Sequence, residues 1–246
     1  MPWQFEMDVL VGSTGLIGQV LREAHEFGAC FHSKNIHEAS LLKEPIERLY
    51  LACMPAEKWK ANAAPLDDFN NMNSIIQNIR HLPSPAEVIV YSTIDVHGQT
   101  AYYSGRTPEI FAIDYGTNRY IFEMLVKATF HDSVVTIIRL PALFHRLIKK
   151  NILFDLLTNN NVEKININSA YQWYCLDDLW TDTKRAISGT TNELYTAPIE
   201  TAEIIERFFP DAKVGSGPRV EYNIPPYKDD KAKIMKKMEA FINAWN

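Results

Sequence analysis

At 246 residues, 46% of them hydrophobic, the chain can build one large α/β domain or a nucleotide-binding domain with a small appendage. A formal charge of -5 and the lack of any run of about five basic residues argue against nucleic acid as a partner. No apolar stretch reaches the ~18 residues a membrane helix needs, no signal-peptide pattern opens the chain, and its three cysteines are scattered, so a cytoplasmic protein with reduced thiols and no membrane contact is expected.

The apolar run Met7-Asp-Val-Leu-Val11 reads as a strand, and the loop Val11-Gly-Ser-Thr-Gly-Leu-Ile-Gly18 turns it into a helix over 16–27. Glycines at 12, 15 and 18 let backbone approach an anion at a helix N-terminus, where N–H groups are unpaired and the partial charge is positive. The spacing predicts dinucleotide binding by Gly12, Ser13, Thr14, Gly15, Leu16, Ile17 and Gly18, with the hydroxyls of Ser13 and Thr14 near the phosphates. A second strand over 29–32 is followed by Ser33 and Lys34, not by the carboxylate that holds an adenosine ribose. A lysine there attracts a 2′-phosphate, which leans the NAD or NADP choice towards NADP; the other reading of Lys34 is a solvated surface charge. Cys30, His32 and His37 lack the spacing of a zinc site, so no metal is expected.

Strands over 48–52, 87–92 and 134–140 alternate with helices over 66–82 and 115–130, the pattern of a doubly wound parallel sheet. Beyond Pro141 the periodicity predicts a helix over 147–157, a strand over 171–176 and a helix over 178–187. A second strand and helix pair falls over 192–196 and 201–209. A loop over 215–226 and an amphipathic helix over 228–245 close the chain. The organisation expected is a nucleotide-binding core over 1–145 and a mixed region over 146–246 that contributes later strands and the substrate lobe.

Two segments carry candidate chemistry. Tyr91-Ser-Thr-Ile-Asp-Val-His-Gly98 runs from an apolar strand into hydroxyls, and carboxyl ends of strands line the ligand crevice of such sheets, so Ser92 and Thr93 face the cofactor. Asp114-Tyr-Gly-Thr-Asn-Arg119 opens a helix in which Tyr115 and Arg119 share a face. A cation beside a phenol lowers its pKa from about 10 and readies it for acid/base work. Hydroxyl, phenol and cation beside a nicotinamide form a hydride-transfer site; the alternative for Tyr115 and Arg119 is an ordinary surface pair.

Taken in order, the glycine loop, Ser-Thr-x-x-Val-x-Gly, Tyr-Gly-x-x-(basic), Ile138-Arg-Leu-Pro-Ala-Leu-Phe144 and Gln172-Trp-Tyr-Cys-Leu-Asp-Asp178 resemble the extended short-chain dehydrogenase/reductases. These include the NAD-dependent epimerase/dehydratase group acting on nucleotide sugars. The resemblance runs over about 7–209 and implies a Rossmann-type doubly wound parallel sheet with a small C-terminal substrate region. It implies that Thr93 orients substrate and that Tyr115 is the catalytic acid/base. Arg119 falls at the place of a lysine that lowers the tyrosine pKa and hydrogen-bonds the nicotinamide ribose. Ala52 then lies on the adenosine side, Pro141 and Leu143 lie beside the nicotinamide, and a homodimer pairs through the helices over 66–82 and 115–130.

The chain departs from that pattern at three places. Arg119 keeps a permanent charge, but its planar fork is bulkier than an ammonium and the exchange is not conservative. His97 stands where the family usually has tyrosine. Tyr171 stands where nucleotide-sugar members often have an arginine for the substrate diphosphate. Two functions follow: an NAD(P)-dependent oxidoreductase or epimerase/dehydratase acting on a sugar or nucleotide-sugar carbonyl or hydroxyl, or an NAD(P)-binding sensor or partner protein with weak or no turnover.

Overall fold

Val9, Leu10 and Val11 are fully buried, because the first strand is covered on both faces. The structure, a computed structural model, describes residues 7–101, 114–189, 194 and 196–245. Its first elements are β1 (Met7–Val11), α1 (Leu16–Ala24), β2 (Ala29–Phe31), β3 (Ile46–Leu51), α2 (Lys58–Ala63), α3 (Pro65–Ile79), β4 (Glu87–Thr93), α4 (Tyr115–Thr129) and β5 (Val134–Leu140). There follow β6 (Ala142–Phe144), α5 (Ile152–Thr158), β7 (Ala170–Tyr171), β8 (Trp173–Cys175), α6 (Leu179–Ile187), β9 (Ile199–Glu200), α7 (Thr201–Phe208) and α8 (Lys231–Asn243).

The chain divides into two compact units. The first holds residues 7–98, 114–139 and 179–189 of those described. Its sheet runs β2-β1-β3-β4-β5, and β1 pairs in parallel with β2 (Leu10 to Cys30) and with β3 (Leu10 to Tyr50), as β3 does with β4 (Tyr50 to Ile89). This is the Rossmann-like parallel sheet expected from the sequence. Strand order reverses between β1 and β3, which opens the ligand crevice at their carboxyl ends. Met72, Ile76 and Ile79 of α3 and Phe122 and Val126 of α4 pack with Val9, Leu49, Val88 and Val90 into one core.

The second unit holds residues 99–101, 140–178, 194 and 196–245 of those described. Its strands form two short pairs, β6 parallel to β8 and β7 antiparallel to β9. Phe144, Trp173, Ile199, Ile204, Ile234 and Met238 are its core. The apolar stripe read on the last helix thus faces core, with Trp245 edge-on to Phe241 at 5.5 Å.

Several boundaries differ from the sequence reading for identifiable reasons. Helix α1 stops at Ala24, because His25 turns extended, bonds the Asp8 carboxylate at 2.7 Å and stacks on Trp180 at 4.4 Å. The strand over 171–176 is broken at Gln172, whose side chain bonds Thr196 and Ile224 backbone. Helix α5 starts at Ile152, where Asn151 caps it. The strand over 192–196 falls largely outside the described residues. The compact units change over at 139/140, and α6 lies in the first.

Candidate functional site

The glycine loop sits at the crevice between β1 and β3. Gly12 has φ +96°, and a Cβ there would lie 2.2 Å from the Ala52 carbonyl oxygen. A Cβ on Gly18 would lie 2.1 Å from the Gly12 carbonyl oxygen. These two glycines are required by the loop's own packing. Gly15 differs: its φ is -72°, its nearest Cβ neighbour is at 3.5 Å, and it is exposed at the N-cap of α1 with no side chain capping the helix. The tip is therefore a backbone cradle with helix N–H groups behind it, and it fits a pyrophosphate.

Thr14 is exposed at this tip, Ser13 is buried, and Leu16 and Ile17 are half-buried in the first helical turn. Ala52 gives the loop its floor, its N–H donating to Val11 at 2.8 Å. Ser33 and Lys34 are exposed in the turn after β2, and the first carboxylate beyond that strand is the exposed Glu38.

Strand β4 delivers the second group of residues. Thr93 Oγ1 donates to Asp95 Oδ2 at 3.1 Å and accepts from the Asp95 N–H at 3.2 Å. Lys58 Nζ of α2 meets the other oxygen, Asp95 Oδ1, at 2.5 Å. Helix α4 begins against this corner: a Cβ on Gly116 would lie 2.3 Å from the Asp95 carbonyl oxygen, so only glycine fits there. The Tyr115 N–H donates to Asn62 Oδ1 of α2 at 2.9 Å, and Asp114 caps α4 through the Thr117 N–H. Ser92, two residues nearer the sheet than Ile94, donates instead to Glu123 at 2.6 Å. Arg139 clasps the same carboxylate at 2.7 and 3.1 Å and holds His97 Nε2 at 3.5 Å.

Arg119 does share a face with Tyr115, its guanidinium lying 4.3 Å from the ring centre. It is only 2% exposed, and its fork grips Asp68 of α3 at 2.8 and 3.0 Å while donating to the Pro55 carbonyl at 2.7 Å. The Arg119 charge acts on the phenol in the expected direction, but burial outweighs it. Burial pushes the Tyr115 hydroxyl above its ordinary value; the Arg119 charge pulls it down and Asp95 pushes it up, with burial the larger effect. A neutral phenol is a proton donor.

The remaining sequence-predicted residues belong to the second unit. Pro141 is buried and Leu143 half-buried, with the Leu143 carbonyl accepting from Asn151 at 2.7 Å. Tyr171 is half-buried between the rings of Trp173 and Tyr222, at 5.9 and 6.2 Å. Sequence reasoning missed Lys58, Asp68, Asp95 and Glu123. Asp95 and Glu123 had a signal, lying two residues after Thr93 and four after Arg119; Lys58 and Asp68 had none, since their partners are distant in the chain.

No protein-family model matches the chain, and no curated protein sequence matches it. Solved structures do. A UDP-N-acetylglucosamine 4-epimerase from Methanobrevibacter ruminantium matches at 13% identity over 98% of both chains with a TM-score of 0.73. A NAD-dependent NDP-hexosamine 5,6-dehydratase matches at 16% identity over 97% of this chain and 96% of that one, TM-score 0.67. RMD from Pseudomonas aeruginosa, complexed with NADPH, matches at 14% identity with the same coverages and a TM-score of 0.65. At these identities the likeness shows a shared fold. The chain has the Rossmann-type fold of nucleotide-sugar epimerases, dehydratases and reductases.

Proposed function

We propose that the chain is an NAD(P)-dependent oxidoreductase or epimerase/dehydratase acting on a sugar or nucleotide-sugar carbonyl or hydroxyl. The observation that carries this reading is the convergence of Thr93 and the start of α4 on Asp95, in the same unit as the glycine cradle. The nicotinamide, when bound, supplies or accepts hydride. Gly12 to Gly18 hold the pyrophosphate against backbone N–H groups, Ala52 flanks the adenosine, and Lys34 attracts a 2′-phosphate, which favours NADP. Thr93 orients the substrate oxygen, and Tyr115 gives it a proton or takes one from it. His97 is a substrate-side residue. The protein works in a reducing cytosol as a homodimer through α3 and α4, where Leu66, Tyr120 and Met124 are exposed.

One observation favours the second reading, a dinucleotide-binding protein with little turnover: the Arg119 charge is committed to Asp68 and Pro55, and Tyr115 is buried. The two are separated by following NAD(P)H absorbance and, because an epimerase or dehydratase returns the hydride it takes, chromatographic product formation over a panel of nucleotide sugars and their keto forms. Turnover that falls by roughly 10²–10⁴-fold in Tyr115→Phe supports the enzyme. Dinucleotide binding with no turnover on any substrate supports the second reading.

A further inference from the structure

Tyr115 is the first residue of α4, where a backbone N–H has no partner within the helix and the turn frays most readily. The side chain of Asp114, which caps α4, accepts from the Thr117 N–H. The Tyr115 N–H is met from outside the helix, by Asn62 Oδ1 of α2 at 2.9 Å. The segment that carries Asn62 is itself fastened to α4 at both ends. Arg119 Nη2 donates to the Pro55 carbonyl at 2.7 Å, and Asn118 Nδ2 donates to the Pro65 carbonyl at 3.1 Å. Asn118 and Arg119 are buried, and both also bond Asp68 of α3. Helix α2 is short, buries only Ala61 and has no side-chain cap at its start, so polar contacts set its place.

We propose that Asn62 is a positioning residue for Tyr115: it holds the first turn of α4 and so sets where the phenol stands, while Asn118 and Arg119 fix the strap that carries it. The inference rests on the acid/base reading of Tyr115 given above. A phenol is a long side chain hinged at one Cα, and proton transfer needs its oxygen within hydrogen-bond reach of the substrate oxygen. A misplacement of about 1 Å can cost a reacting group about 100-fold in rate. Gly116 fixes the same turn by packing against the Asp95 carbonyl, where no Cβ fits. That turn also sets the Tyr115 ring against the Arg119 guanidinium, 4.3 Å from the ring centre. Arginine thereby has a task at position 119 that an ammonium performs less well, because its rigid fork serves a carboxylate and a carbonyl at fixed angles.

The test compares wild type, Asn62→Leu and Asn62→Asp, each also combined with Tyr115→Phe, on a nucleotide sugar that wild type turns over. Asn62→Leu is expected to lower kcat about tenfold and to leave KM and dinucleotide affinity within about twofold. It is also expected to speed amide hydrogen exchange at Tyr115 and not at Thr117, which Asp114 caps. Asn62→Asp keeps an acceptor at the helix N-terminus and is expected to recover both. In the Tyr115→Phe background Asn62→Leu is expected to add no further loss. Undiminished kcat in Asn62→Leu, or the same loss again on top of Tyr115→Phe, overturns the inference and leaves the functional reading standing. So does a loss that Asn62→Asp fails to recover, or one matched by a fall in melting temperature, because Asn62 then serves the fold. A wild type that turns over no substrate overturns the inference and the reading beneath it together.

Discussion

Arg119 and Asp68 show how packing commits a side chain. A planar guanidinium is satisfied by a planar carboxylate, and Asp68, 51 residues earlier, provides it with bidentate geometry in a nearly dry setting. Burial raises the Asp68 carboxyl, but hydrogen bonds from Arg119 and Asn118 outweigh it and hold the carboxyl below its usual value. A carboxyl lowered by folding contributes stability above its unfolded pKa of about 3.9, and that contribution is lost as pH falls through the folded value. Arg119→Met leaves a buried carboxylate unpaired and is expected to cost about 3–5 kcal/mol at pH 7. The deficit shrinks in acid, as the buried Asp68 carboxyl, no longer held down by Arg119, becomes protonated in the variant. The double variant Asp68→Leu, Arg119→Met recovers most of the loss, because an apolar pair of similar volume replaces a desolvated ion pair at little net cost. Urea unfolding of wild type and the two variants at pH 7 and pH 3 checks this; a single variant as stable as wild type contradicts it. The pairing was illegible in the sequence: Asp68 reads as an ordinary acidic residue in a first helical turn, and only the packing of α3 on α4 brings it to Arg119.

Among the elements, long apolar strands and helices with strong periodicity were readable, and short elements held by side-chain hydrogen bonds were not. Helix α2 is six residues long, buries only Ala61 and leaves Trp59 75% exposed, so it carries no apolar stripe to detect. It is nonetheless the element that brings Lys58 and Asn62 to the site. Helix α5 begins later than its apolar pattern suggests, because Asn151 takes φ 109° and accepts from the N–H groups of Leu153 and Phe154 while donating to Leu143. Asn151→Ala loses the cap and keeps the strained backbone, costing about 2–4 kcal/mol, whereas Asn151→Gly loses the cap without the strain and costs less. Melting curves should therefore rank wild type above Asn151→Gly and Asn151→Gly above Asn151→Ala; the reverse order for the two variants overturns the role given to the positive φ.

For the whole molecule, the parallel sheet, the glycine turn and the carboxyl-end position of Thr93 followed from alternation and motif order, because a parallel sheet buries its strands and turns at fixed places, whereas the strand order came only with the structure. Which residues meet Asp95 and Arg119 did not follow, since Lys58 and Asp68 arrive through long-range packing. At this scale the proposal is that the β1–α1 cradle holds a dinucleotide. Gly15 tests it most directly, being the one glycine of the loop whose side-chain position is open and whose φ suits any residue. Gly15→Asp places a favourable N-cap carboxylate on α1, so the fold is kept, while the negative charge repels a pyrophosphate at the helix N-terminus. The measurement is the affinity of wild type and Gly15→Asp for NADH and NADPH, alongside their melting temperatures. Wild type is expected to bind at least one of them, and Gly15→Asp to melt no lower yet bind at least about tenfold more weakly, a loss of roughly 1.4 kcal/mol or more. A wild type that binds neither, or a variant that binds as tightly as wild type, contradicts it.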